Sequence, residues 1–145
     1  MILIAHRGNT AGVHKEMENA PRYIQEALDA GFDVEIDVWA IENSFFLGHD
    51  EPQYPVDKSF LLNDSLWCHA KNKEALDALL SLGAHCFWHQ EDDYTLTSRG
   101  HVWVYPEKEP THKGIIVLRE FQPEMIGKCM GICSDDVVKY KELIE

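Results

Sequence analysis

The stretch that decides the fold is Phe32-Asp33-Val34-Glu35-Ile36-Asp37-Val38-Trp39, which continues through Glu42-Asn43-Ser44 into Phe45-Phe46-Leu47-Gly48-His49-Asp50. Its first half alternates acidic and aliphatic residues, which is the period of a β-strand whose two faces meet different surroundings. The acids Asp33, Glu35 and Asp37 therefore share one face. They must either meet water or share a cation, since an unpaired buried charge is costly. Which of these holds decides the function.

The chain has 145 residues, of which 45% are hydrophobic, and this predicts one globular domain over residues 1–145. The longest apolar runs are as short as strands, so we expect no membrane span. Met1 leads into the apolar run Ile2-Leu3-Ile4-Ala5 without the basic start of a signal peptide, which predicts a cytoplasmic protein. The four cysteines form no CxxC pair, and this favours reduced core thiols over disulfides or zinc ligands.

The formal net charge of -12 restricts the partners. Nucleic-acid binding draws its affinity from clustered Lys and Arg, and the chain contains no basic stripe, so no nucleic acid is expected. The same charge would repel a small anionic substrate. Chemistry on a phosphate would therefore need a local cation, either a metal or a few placed basic residues.

Alternating strand and helix patterns predict an α/β fold. Strands are predicted over residues 1–5, 34–39, 45–48, 66–69, 85–88, 102–105, 115–118 and 130–133. Helices are predicted over residues 20–30, 72–82 and 135–144, with Asn19 and Ser134 as N-caps of the first and last. Residues 51–64, which include two prolines, are predicted to form an irregular surface loop.

The spacing of these elements predicts a reduced or incomplete (β/α) TIM-type barrel. A complete barrel takes about 250 residues, and the connectors between the later strands are too short for full helices. Several outer helices would therefore be missing, and strand flanks would be exposed. Pairing with a second copy would cover these flanks, which predicts a homo-oligomer.

Polar residues gather at the ends of successive predicted strands, where sites form in parallel α/β folds. These residues are His6, Arg7, Glu35, Asp37, His49, His69 and Lys71. A divalent metal on Glu35 and Asp37 would remove the cost of burying their charges and supply the missing positive charge. The strand-end aromatic residues Trp88, Trp103 and Tyr105 are more often core than part of a substrate site. If one of them lines a pocket, we expect it to be Trp103.

Four short motifs follow one another in the first third of the chain. They are Ile4-Ala5-His6-Arg7-Gly8, Glu18-Asn19, Gly31 to Val38 and Gly48-His49-Asp50. Their order resembles the signature of the glycerophosphodiester phosphodiesterases, in the phosphatidylinositol-phospholipase-C-like barrel superfamily. Each motif alone is weak, whereas four in order are specific. Beyond Asp50 the likeness is thinner, with His69-Ala70-Lys71 where the family carries Glu-x-Lys and residues 131–135 similar to its closing strand and turn.

The resemblance implies a phosphoric diester hydrolase, or a lyase variant, that acts on a small phosphodiester. His6 and His49 would be the acid and base pair, a role that suits imidazole because its pKa lies near neutrality. Arg7 would bind a non-bridging phosphate oxygen, because guanidinium geometry favours such oxygens, and Lys71 would assist.

The resemblance also implies a metal site in which Glu35 and Asp37 hold Mg²⁺ or Ca²⁺. Glu18 faces this site in the family, whereas a helix cap is the alternative interpretation of Glu18-Asn19. His69 replaces the third carboxylate ligand, which would shift the preference towards Mn²⁺ or Zn²⁺. Residues 91–93, a run of three acids, could lend a further ligand, although such a run is more often a solvated turn.

Two interpretations compete with an enzyme. A non-catalytic descendant could keep the phosphate cradle for binding phospho-ligands or for assembly, and His69 in place of a carboxylate motivates this reading. A plain structural domain could carry the acids as surface decoration, although this explains the ordered motifs poorly. No HxH pair, GxSxG elbow, Walker loop or GxGxxG occurs, which argues against metallo-amidohydrolases, serine hydrolases and nucleotide-binding proteins.

Overall fold

Ten strands and four helices make up the chain, all 145 residues of which are described by a computed structural model. The strands are β1 (Ile2–His6), β2 (Asp33–Ile41), β3 (Ser44–Leu47), β4 (Tyr54–Val56), β5 (Leu66–Ala70), β6 (Cys86–Phe87), β7 (Tyr94–Leu96), β8 (Val102–Val104), β9 (Gly114–Leu118) and β10 (Gly131–Ser134). The helices are α1 (Pro21–Asp29), α2 (Lys58–Leu61), α3 (Lys73–Leu82) and α4 (Val137–Ile144), with a 3-10 turn at Pro123–Met125. The predicted mixed α/β class is confirmed.

Seven of the strands run parallel, in the order β6-β5-β2-β1-β10-β9-β8. The first strand, β1, therefore lies between β2 and the last strand, β10. No ladder of backbone hydrogen bonds joins β6 to β8, so the sheet is open there. Helices are few, and none is long and apolar enough to cross a membrane.

The predicted hairpin follows β2. β2 pairs antiparallel with β3 through a tight turn in which Glu42 and Asn43 have φ of 50° and 68°. Two successive residues with positive φ are typical of the turns that match the twist of a hairpin. After β3, a side chain at Gly48 would collide with the carbonyl oxygen of Glu51, so the chain that delivers His49 needs glycine there.

Three local predictions are wrong. Asn19 does not cap α1, whose N-cap is Ala20, because its side chain is used by Asp37 instead. The N-cap of α4 is Asp136, while the Ser134 hydroxyl accepts a hydrogen bond from the Asp136 amide. The loop predicted over residues 51–64 contains β4 and α2. β4 tolerates Pro55 because it is an edge strand, paired only with β3.

The sheet buries apolar residues on both faces. One face, with Val34, Ile36 and Val38 of β2, packs with residues of α1 and α3 in a cluster of 18 buried residues. On the other face, six strands each contribute one residue to what we call the apolar layer. It consists of Ile4, Trp67, Phe87, Trp103, Ile115 and Cys133. β2 is the one parallel strand that adds no residue to the apolar layer, because Asp33, Glu35 and Asp37 occupy that face at this level.

Candidate active site and metal centre

Two residues beyond the apolar layer, five of its six strands lead to a polar side chain on the same face, since side chains in a strand repeat with a period of two, while β9 carries Val117 there. Together with the acids of β2, these five side chains form what we call the polar layer. It consists of His6, Glu35, Asp37, His69, His89, Tyr105 and Asp135, all of which line one cleft. The polar layer lies at or just beyond the carboxyl ends of the parallel strands, as the sequence predicts for a site.

The cleft has a volume of about 450 Å³. It brings together seven of the eight predicted site residues. It also includes Trp103, which at the same time belongs to the buried apolar layer. The seven residues are His6, Arg7, Glu35, Asp37, His49, His69 and Lys71. Glu18 lines a second cavity of about 400 Å³, which has no apolar residue and shares Arg7 and His49 with the cleft. A larger cavity of about 870 Å³, lined by Phe45 and Phe60, contains none of the predicted residues.

A metal-binding group stands at the centre of the polar layer. One ligand atom from each of Glu35, Asp37 and His69 lies within 4.8 Å of the other two. His69 Nδ1 is 3.2 Å from Asp37 Oδ1 and 3.7 Å from Glu35 Oε2. Glu35 and Asp37 are only 3% and 1% exposed, so water does not compensate their charges. These three residues could bind a metal ion.

Two polar atoms show that the group fits a cation. Glu35 Oε1 is buried and accepts no hydrogen bond, although a buried carboxylate oxygen normally finds a partner. His69 Nε2 donates to the carbonyl oxygen of His89 at 3.0 Å, which assigns a proton to Nε2. In the neutral ring, the Nδ1 lone pair then faces the two carboxylates. Either a metal ion or a second proton on the ring would offset that arrangement, and fixing the ring through its other nitrogen is how metal-binding histidines are commonly held.

The pKa values of Glu35 and Asp37 are shifted in opposite directions. Burial, followed by the charge of Asp37, raises the pKa of Glu35 above its usual value. Burial would also raise the pKa of Asp37, but its hydrogen bond to His69 and further contacts with Asn19 and Arg7 outweigh burial and lower it. Asp37 is therefore the firmly ionised member of the pair, and Glu35 is the member whose charge the protein alone does not stabilise.

Asn19 holds Asp37 in place. Its side-chain amide donates to Asp37 Oδ2 and its side-chain oxygen accepts from the Asp37 backbone amide, both at 2.9 Å. Arg7 Nε lies 3.6 Å from Asp37 Oδ2. Arg7 and Asn19 both have φ in the left-handed region, 56° and 66°, and the Asn19 amide donates to the Arg7 carbonyl oxygen. This unusual backbone places both side chains against the metal-binding group.

Glu18 supports Arg7 and does not join the metal-binding group. Its Oε1 accepts from Arg7 at 3.1 Å and its Oε2 accepts from Asn9 at 2.8 Å. Both carboxylate oxygens are thus occupied by donors. The acids at residues 91–93 also stay apart: Asp92 accepts from His89 and Asp93 pairs with Lys108.

His6 is oriented by an acid that the sequence analysis missed. Its Nδ1 donates to Asp135 Oδ1 at 2.9 Å, and its Nε2 lies 3.9 Å from Glu35 Oε1. Burial lowers the pKa of His6, but the hydrogen bond to Asp135 and the charge of Glu35 outweigh burial, and the net pKa is raised. The position of Asp135 just after the closing strand was the available signal.

His49 and Lys71 border the cleft more loosely. His49 Nδ1 donates to Asp50 at 2.7 Å, and its ring forms part of the wall shared by the cleft and the polar cavity of Glu18. Lys71 follows β5 and forms no ion pair.

Comparisons of the chain with protein-family models, with curated proteins and with solved structures find no match.

Proposed function

We propose that this protein is a metal-dependent phosphodiesterase, similar to the glycerophosphodiester phosphodiesterases, that cleaves a small phosphodiester. The observation that carries the proposal is the buried group of Glu35, Asp37 and His69, with its unsatisfied carboxylate oxygen. This group lies in one cleft with two histidines and an arginine. A cation site beside acid, base and anion-binding side chains suits cleavage of a phosphate ester.

The cation would be held by Glu35, Asp37 and His69. It would act as a Lewis acid that offsets the charge of the phosphate, which the net charge of -12 otherwise repels. Mg²⁺ or Ca²⁺ would suit two carboxylates, while the imidazole of His69 favours Mn²⁺ or Zn²⁺. Glu18 contributes by orienting Arg7 towards a non-bridging phosphate oxygen, a role that guanidinium geometry favours.

His6 and His49 move the protons. The raised pKa of His6 favours its protonated form, so His6 protonates the leaving alcohol oxygen as the phosphorus–oxygen bond breaks. His49 takes the proton of the attacking hydroxyl, which comes from water in a hydrolase or from the substrate in a lyase. Lys71, which has no ion pair, adds positive charge at the cleft. Asp135 keeps the His6 ring in position throughout.

The strand order supports an incomplete TIM-type barrel as the scaffold. Starting from β1, the parallel strands follow one another in sequence order through β2, β5, β6, β8, β9 and β10, which pairs with β1 again. The one ladder missing from this ring is the one between β6 and β8. The rings of Phe87 and Trp103 stack across that opening with centroids 4.5 Å apart. We also propose a cytoplasmic location, which the four unpaired cysteines support.

Activity assays test the proposal directly. The purified protein is supplied in turn with Mg²⁺, Mn²⁺, Ca²⁺ or Zn²⁺ and with a panel of glycerophosphodiesters and aryl phosphodiesters. We expect metal-dependent alcohol release that falls at least about 100-fold in His6→Ala. His112→Ala, which removes an exposed histidine, is the matched control and should keep full activity. The proposal would be refuted if no alcohol were released with any of these metals, or if His6→Ala kept full activity.

A non-catalytic phosphate-binding domain is the second candidate. It is favoured by one observation, the contact of 3.2 Å between His69 and Asp37. A protonated His69 would neutralise Asp37 there without any metal. Calorimetry with inorganic phosphate and thermal unfolding with Mn²⁺ separate the two candidates. Tight phosphate binding without turnover of any ester would favour the binding domain.

A further inference from the structure

A second cationic position lies in the cleft at Arg119, apart from the residues that would handle the scissile phosphate. Arg119 follows the last residue of β9 and lines the cleft. Its guanidinium carbon lies 5.7 Å from the centroid of the Tyr105 ring, and its Nη2 donates to the Tyr105 hydroxyl at 3.3 Å. An aromatic ring therefore positions this guanidinium.

No carboxylate pairs with Arg119, although the chain contains 25 Asp and Glu against 13 Lys and Arg. Leu118 pairs with Ser134, so the residues that follow them, Arg119 and Asp135, are neighbours at the ends of β9 and β10. The carboxylate of Asp135 is instead used by His6 and Asn9. Because a guanidinium has five N–H donors, most of those on Arg119 are free to meet a ligand.

Arg119 also lies apart from Arg7. Their strands, β9 and β1, are separated by β10, so the strand axes are about 10 Å apart. Arg119 leans towards Tyr105, which follows β8 on the side away from β1. This separation favours contacts of the two guanidinium groups with two different groups of a bound molecule over contacts with two oxygens of one phosphate.

We propose that Arg119, positioned by Tyr105, binds a second negatively charged group of the substrate, for which a carboxylate is the smallest example. The preferred substrates are then phosphodiesters with an additional anion on one alcohol. This inference rests on the proposed function, since it takes the group at Glu35, Asp37 and His69 as the site of the scissile phosphate.

Two matched esters test the subsite. Glycerophosphoserine and glycerophosphoethanolamine differ by one carboxylate, and kcat/KM for each is measured on the metal-loaded protein. We expect a preference of about fivefold to tenfold for the serine ester, as a single charge-assisted contact allows. Arg119→Gln should abolish this preference. Arg22→Gln, which removes an arginine with 93% side-chain exposure on α1, should keep it.

Equilibrium binding separates a failure of the subsite from a failure of the proposed function. If neither ester is cleaved, the ratio of their Kd values, measured by calorimetry, replaces the ratio of kcat/KM. A ratio that depends on Arg119 supports the subsite even then. The subsite proposal would be overturned if the protein showed no preference between the esters or no measurable binding of either. It would also be overturned if Arg119→Gln lowered kcat/KM or affinity equally for both esters and this effect disappeared at high salt. The last outcome would mean that Arg119 only attracts anions at long range.

Discussion

The apolar layer and the polar layer lie on the same face of the sheet, two residues apart along β1 and β5, yet burial is compensated differently in each. In the apolar layer, Trp103 stacks on Phe87 with centroids 4.5 Å apart, and Ile115 is fully buried. In the polar layer, Glu35 is equally inaccessible but leaves a carboxylate oxygen without a hydrogen bond. The apolar layer is complete within the protein, whereas the polar layer contains a group that could bind a metal ion.

Histidines show the same contrast. His85 packs on Trp67 of the apolar layer, and burial lowers its pKa to about 4. His6 and His69 in the polar layer are half-buried, and their carboxylate partners more than compensate for burial and raise their pKa values. The environment and not the residue type thus decides whether the pKa of a histidine is raised or lowered. It follows that substitutions in the two layers should have different signatures.

The largest effect is expected for Glu35→Gln, which removes the uncompensated charge. Turnover should fall at least about 100-fold, since the charge that faces the cation is lost. The metal-free protein should be as stable as the wild type or more stable, because the pKa of Glu35 is raised by burial and by Asp37. Thermal unfolding with and without Mn²⁺, together with ester cleavage, measures both.

Asp37→Asn is the matched comparison for that result. It disrupts contacts with His69, Asn19 and Arg7, so the metal-free protein should lose about 3 kcal/mol of unfolding free energy. Equal destabilisation by the two substitutions would contradict the distinct roles of these carboxylates.

In the apolar layer, Ile115→Ala should lower the unfolding free energy by about 2 to 5 kcal/mol, because it leaves a cavity in a close-packed region. The increase in Tm produced by Mn²⁺ should be unchanged. Urea unfolding measures the first quantity and a thermal scan the second. Leu143→Ala, at an exposed position of α4, should cost less than about 0.5 kcal/mol. A lost response to Mn²⁺ in Ile115→Ala would mean that the layers are not independent.

Asn19→Gly should weaken metal binding by about 10-fold to 100-fold, the usual cost of removing a residue that orients a ligand. Glycine accepts the positive φ of position 19, so the loss would report the two hydrogen bonds to Asp37. Asn43→Gly is the control, since Asn43 has a similar φ in an exposed turn. Calorimetry with Mn²⁺ measures both variants, and equal Kd values would refute a role for Asn19.

The smallest effect concerns pH and His85. Its pKa is about 4 in the folded protein and 6.5 in the unfolded chain, so the unfolded chain takes up the proton first as pH falls. The contribution of His85 to stability is therefore complete above pH 6.5 and is lost towards pH 4. Between pH 7 and pH 5 the loss should be about 2 kcal/mol.

Urea unfolding of the wild type and of His85→Gln at several pH values isolates this contribution. The difference in unfolding free energy between the two proteins should shrink as the pH falls. A difference that is independent of pH would show that the pKa of His85 is the same in the folded and the unfolded protein, which would contradict the effect of burial.

Much of the site could be predicted because its signals are local. The alternation of Asp33 to Trp39 shows which face of β2 carries acids, and strand ends in a parallel sheet meet at one edge. The turn at Glu42 and Asn43 followed from polar residues between two apolar runs. These patterns depend on neighbours in sequence, and they placed seven of the eight predicted residues in one cleft.

What could not be predicted depends on long-range contacts or on residues with two uses. Asn19 precedes a helix, and an N-cap has the same sequence pattern as a residue that holds Asp37. Asp135 meets His6 across 129 positions of sequence, and no local pattern announces that pairing. The short edge strand β4 was not predicted because it contains Pro55, which is typical of a loop. The opening between β6 and β8 depends on how the whole sheet curves.

The most direct test of the metal centre is electron paramagnetic resonance of the protein titrated with Mn²⁺. We predict one bound Mn²⁺ per chain, with the spin-echo modulation of a directly coordinated imidazole nitrogen. That nitrogen signal should vanish in His69→Ala, and the bound Mn²⁺ itself should be lost in Glu35→Gln. Absence of bound Mn²⁺, or binding that is unchanged in Glu35→Gln, would contradict the assignment of this group as the metal centre.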